Sequence, residues 1–227
     1  MMSLAHVLLI LRHELRVERI AGEVIGLVLP FALAALVALP VALGIDQTAI
    51  SRTGLPAFWV ISLLFGMQIA WRQAGRNVTA VTDQVRLAGL DPASTFFGRF
   101  LANLCLLVLF MLATLVGSLI LFSPPPITSW AWLFLAAFLF AVGLALFATI
   151  IADLTIGLEA RSGLAALLVA PLAIPLVLAA GQVSRSVTAV QVQPGGILAW
   201  VLVLILIDLI GIITGVLTAR PLEETLG

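Results

Sequence analysis

Long apolar runs separated by short polar stretches set the plan of the chain. Six such runs stand out, at 24–44, 54–71, 99–122, 130–151, 163–181 and 196–217. Each is close to the roughly 20 residues a helix needs to cross about 30 Å of hydrocarbon, and none alternates with the period of two of a lipid-facing barrel strand. Within lipid every backbone N–H and C=O must be paired inside its own segment, so runs of this kind fold as helices. The pattern predicts an all-α polytopic membrane protein, a single transmembrane domain over 1–227 with six spanning helices.

Ahead of the first run, Leu4, Leu8, Leu11 and Leu15 recur at helical spacing and share a narrow stripe. Arg12, Arg16 and Arg19 flank the stripe on one side, Glu14 and Glu18 on the other. The spacing predicts an amphipathic helix over 3–20 in the membrane interface, its leucines toward lipid or protein and its arginines near lipid phosphates. Such a helix either seats the first span or offers a contact surface to a cytoplasmic partner. No cleavage site of the small-x-small type closes the first apolar stretch, so the first span is expected to remain in the mature protein.

One long polar stretch, RQAGRNVTAVTDQVRLAGLDPASTFFG, interrupts the runs between Trp71 and Arg99. Val78, Val81, Val85 and Ala88 share one face at helical spacing, while Thr79, Asp83 and Arg86 point away. Gly89 ends this short helix, and Asp91 followed by Pro92 opens the next in the usual cap-then-proline order. Leu87 and Leu90 are displayed beside charges, as anchors for a partner's groove would be. The alternative is a solvated connector with no partner.

Charge placement orients these elements. The eleven basic residues are all arginines, and they balance eleven acidic ones. Arg12, Arg16, Arg19, Arg72, Arg76, Arg86, Arg99, Arg161 and Arg220 fall on one side of the predicted spans, and only Arg52 and Arg185 on the other. The excess predicts that both termini and the polar stretch are cytoplasmic. Trp71 at the inner ends and Trp130, Trp132 and Trp200 at the outer ends fit interfacial belts. With 63% hydrophobic and 10% charged residues, a soluble domain is excluded. No basic run interleaved with aromatics suggests nucleic acid.

Missing residue types narrow the chemistry. Without lysine there is neither a phosphate-binding P-loop nor a Schiff-base amine, so any ATP hydrolysis belongs to another chain. Cys105 is the only cysteine, which rules out a disulfide within the chain and a cysteine metal cluster; it reads as a small packed residue. His6 and His13 precede the first span and read as interfacial histidines. No catalytic residue and no metal site is expected. Asp208 is the outlier, since a carboxylate near mid-bilayer costs about 2.5–3.5 kcal/mol and should face protein or a cavity. Gly211 and Gly215 continue its stripe as a small-xxx-small pair for close helix packing. Pro171 and Pro175 remove two backbone donors from the fifth run and predict kinks, as Pro30 and Pro40 do in the first.

Specific stretches carry a resemblance. ELRVE at 14–18, LPAFWVISLLFGM at 55–67, RLAGLDPASTFFGRFLANL at 86–104 and LLVAPLAIPLVLAAG at 167–181, set among six spans with both ends inside, resemble the haem exporter protein B family. These are type-2 ABC exporter permeases, the permease B subunits of the cytochrome c maturation system. The resemblance extends over nearly the whole chain and implies a multi-pass subunit of the bacterial inner membrane without catalysis of its own. Implied partners are a separate ATP-binding cassette subunit, a haem-handling membrane subunit and, indirectly, a haem chaperone. Haem is implied as a cargo rather than a cofactor held by this chain, and ATP is bound by the partner. The resemblance makes 78–91 the segment coupled to the ATPase, with Asp83, Arg86, Leu87, Leu90 and Asp91 at the contact. Two other readings stay open, a permease of the same type for a lipid or drug, and a membrane assembly protein that transports nothing.

Overall fold

The computed structural model describes residues 4–22, 24–44, 46–76, 92–155, 162–189 and 194–219. Among the described residues there are seven α-helices, one π-helical turn and no strand: α1 (Leu4–Ala21), the π turn (Val24–Val28) running into α2 (Leu29–Leu43), α3 (Gln47–Arg76), α4 (Pro92–Phe122), α5 (Trp130–Thr155), α6 (Ser162–Val187) and α7 (Pro194–Ala219). Five stretches are long and apolar enough to cross a membrane: Val24–Leu43, Gln47–Ile69, Ser94–Phe122, Trp130–Ile151 and Gly195–Leu217. In α6 the apolar part with described side chains is the shorter Ala173–Val187.

Helix ends follow from local chemistry. α1 stops at Gly22, whose φ of 63° is the left-handed conformation glycine adopts most readily; its N–H donates to the Glu18 carbonyl at 2.7 Å. The chain turns a corner there, and the Glu18 side chain closes it by accepting from the Val24 N–H, also at 2.7 Å. Pro30 stands just after the π turn, and because the helix runs on from Val28 its missing N–H leaves a carbonyl of that turn without its usual donor. At the other end of the first span Gly44 (φ 75°) reverses the chain, and Asp46 accepts from the Thr48 and Ala49 N–H groups at 2.9 and 3.2 Å. That cap starts α3 well before the apolar run at 54, drawing Arg52 into the helix.

α5 is the centre of the bundle, packing against α3, α4, α6 and α7. α1 packs along α4, α2 against α3 and α4, and α7 also reaches α4. One core cluster draws residues from α2 through α7, with Trp59, Phe58, Phe110 and Phe140 among its largest members. The Trp59 ring meets Phe58 edge-on at 4.7 Å and Phe140 at 5.1 Å.

Polar groups are turned inward, where they tie helix to helix. Ser118 Oγ donates to the Gly54 carbonyl at 2.8 Å, Trp59 Nε1 to Ser184 Oγ at 2.7 Å, and Asn103 Nδ2 to Thr149 Oγ1 at 3.1 Å. Each such bond is worth only about 0.6 kcal/mol on average in a membrane bundle, so their value is as much in register as in energy. Outward faces are aliphatic instead, with Leu109, Leu112, Val116 and Ile120 forming one exposed ridge on α4 and Leu202, Ile205, Leu209 and Ile213 another on α7.

Candidate functional site

Three places in this bundle carry chemistry or mechanical contact. The first is the crossing of α1 on α4. Gly98 permits it: a Cβ added there would stand 2.7 Å from Ile10 Cβ and 3.3 Å from the Val7 carbonyl oxygen. The face α1 turns to the bundle is Val7, Ile10, Glu14 and Glu18, all buried, while Leu8 is 60% exposed. The predicted stripe thus divides: Leu8 faces outward, whereas Leu11 and Leu15 are half-buried and Leu15 packs on the core cluster. Helix packing in membranes rewards close backbone approach rather than large aliphatics, which lipid accommodates equally well. Glu14 and Glu18 are 6% and 5% exposed, and Arg99 is buried beside the glycine of the crossing. Arg12, Arg16 and Arg19 remain exposed on α1, as do His6 and His13.

The second place is the inner face of α7. Asp208 is 5% exposed, and one of its carboxyl oxygens lies 2.9 Å from where a Cβ on Gly143 of α5 would be. Among the described residues neither oxygen has a hydrogen-bond partner. Gly211 lies over Leu146 of α5, with 3.1 Å from an added Cβ to the nearest methyl, and a Cβ on Gly215 would overlap the Phe96 ring of α4. The stripe Asp208, Gly211 and Gly215 thus faces α5 and then α4. α6 runs as one helix through Pro171 and Pro175, with Pro175 exposed.

The third place is the end of the bundle away from α1, where Arg52 at the start of α3 and Arg185 at the end of α6 line one cleft of about 340 Å³. The contacts that sequence reasoning missed include the Glu18 corner, the Trp59–Ser184, Ser118–Gly54 and Asn103–Thr149 bonds and this cleft. Of these only the corner left a signal, a glutamate four residues ahead of Gly22. Cys105 is exposed on α4 rather than packed; on a lipid-facing helix a small apolar residue has no need of a protein neighbour. The expected coupling segment, with Asp83, Arg86, Leu87, Leu90 and Asp91, lies outside the described residues.

Aliphatic ridges outside, small and polar residues inside, and helices long enough to span define a multi-pass helical membrane protein. The chain matches the family described as CcmB protein over residues 5–219 and belongs to it. Membership places it among ABC transporter permeases of haem export and cytochrome c biogenesis. No curated protein and no solved structure matches it.

Proposed function

We propose that this chain is the mechanical membrane subunit of an ATP-driven complex for cytochrome c maturation, lying in the bacterial inner membrane with both termini in the cytoplasm. ATP hydrolysis in a separate ATP-binding cassette subunit drives release of the haem-loaded chaperone, through a neighbouring haem-handling membrane subunit. The nine-to-two arginine bias supports the orientation. One observation carries the mechanical reading: the segment at 78–91 leads directly into α4, which runs unbroken for 31 residues, about 46 Å. A push on Asp83, Arg86, Leu87, Leu90 or Asp91 would reach α1 at Gly98, α5 at Asn103 and α3 at Ser118 along one rigid rod.

In this reading α1 is the interfacial brace, holding the cytoplasmic end of α4 while Arg12, Arg16 and Arg19 rest at lipid phosphates. Haem is cargo of the complex. A photo-crosslinker at Leu87 is expected to capture an ATP-binding subunit in intact cells. Capture of that subunit from no position between 78 and 91 would overturn the coupling assignment.

A further inference from the structure

The two arginines set apart by the charge bias meet in one place. Arg52 stands in the second turn of α3 and Arg185 in the last turn of α6, 133 positions apart in sequence, and both line the cleft at the end of the bundle remote from α1. The rest of its wall is Ser51, Ser184 and Thr188 on the polar side, and Leu55, Pro56, Pro124 and Pro125 on the apolar side, closed by Gly181. Among the described residues no carboxylate lines it. Among the described residues neither guanidinium has an ion pair or hydrogen bond, and both arginines are exposed.

The local helix ends explain only part of this. Arg185 complements the C-terminal carbonyls of α6. Arg52 does the opposite, since a cation in the first turns of α3 is disfavoured by that helix's dipole. Asp46 already occupies the α3 N-terminus, accepting from two of its N–H groups. Two like charges sharing a cleft without a carboxylate repel each other until an anion lies between them.

We propose that this cleft binds the anionic headgroup of an amphiphile, a phosphate or a pair of carboxylates gripped by Arg52 and Arg185, with the apolar body against Leu55, Pro56, Pro124 and Pro125. Guanidinium forks suit both oxyanions, and a serine or threonine hydroxyl supplies a further donor. Two sources offer this chemistry, a membrane phospholipid and a cargo bearing carboxylates. The lipid source is independent of the proposed function; only the carboxylate source rests on haem as the cargo.

The test uses the full chain in phosphatidylcholine nanodiscs. Phosphatidylglycerol is titrated in and read by native mass spectrometry; protoporphyrin IX, a dicarboxylate, and its dimethyl ester are titrated separately and read by fluorescence. Arg52→Gln and Arg185→Gln are each expected to weaken binding of one probe about tenfold, the loss of one charge-assisted contact, with Arg52→Lys and Arg185→Lys weakening it less. Loss confined to phosphatidylglycerol assigns the cleft to lipid. Loss confined to the porphyrin, with its ester unbound by the wild-type protein, assigns it to cargo. Binding of both probes that ignores both arginines, or ester and acid bound alike with no preference for phosphatidylglycerol, overturns the proposal. The ester comparison needs no variant, so it decides the porphyrin source even if a glutamine variant fails to fold. Neither readout involves ATP or cytochrome c, so failure here is distinct from failure of the coupling assignment.

Discussion

Replacing Gly98 by valine is expected to pry α1 off α4. The added branched carbon would enter a space where even a single Cβ stands 2.7 Å from Ile10 Cβ and 3.3 Å from the Val7 carbonyl oxygen. The second neighbour is backbone and cannot rotate aside. Overpacking of this kind costs about 1–3 kcal/mol, and a cost of 3 kcal/mol would multiply the undocked population roughly a hundredfold. Trypsin cleavage after Arg12, Arg16 and Arg19 in detergent should accelerate accordingly, because these sites already face outward and are protected only by the helix itself. An unchanged cleavage rate would show that α1 does not depend on this crossing. Gly98→Ala should lie between wild type and valine.

The second large effect has the opposite sign. Asp208→Leu is expected to stabilise the protein, because leucine keeps the aspartate branching while removing two buried oxygens that have no hydrogen-bond partner among the described residues. The insertion scale separates aspartate from leucine by about 3 kcal/mol at mid-bilayer. The tight seat between Gly143 and Leu176, where a Cβ on Gly143 would already be 2.7 Å from a Leu176 methyl, takes back part of this. A net gain of about 2 kcal/mol should appear as a higher melting temperature in detergent, with Asp208→Asn in between. A lower melting temperature for the leucine variant would mean that the carboxyl group has a stabilising partner in the membrane. Unchanged cytochrome c maturation in Asp208→Asn would remove the carboxyl from the functional residues.

How far the chain could be read depended on whether lipid and protein ask for different residues. The all-helical class and its long apolar helices were legible because crossing hydrocarbon demands an uninterrupted apolar run, although five stretches rather than six are long enough among the described residues. Which run lies in the middle was not, since α5, ringed by four helices, and α7, with a long exposed ridge, are equally greasy. Small and polar residues carried the signal instead: the stripe of Asp208, Gly211 and Gly215 faces other helices, whereas the leucines of α1 left lipid and protein equally open, because lipid takes them as readily as a bundle does. The early start of α3 was hidden behind Arg52 and Thr53, which read as a loop until Asp46 is seen to cap the helix. The meeting of Arg52 and Arg185 is purely tertiary, and charge counting had separated them only by side.

Permease work in cytochrome c maturation is the central claim, and holocytochrome c formation in a strain deleted for this gene tests it most directly. The expected result is apocytochrome that carries no covalent haem, restored by the wild-type chain supplied in trans and only while the partner ATPase keeps its activity. Normal holocytochrome c levels in the deletion strain would contradict the claim, and a defect in lipid or drug export alone would assign the same bundle to a different cargo.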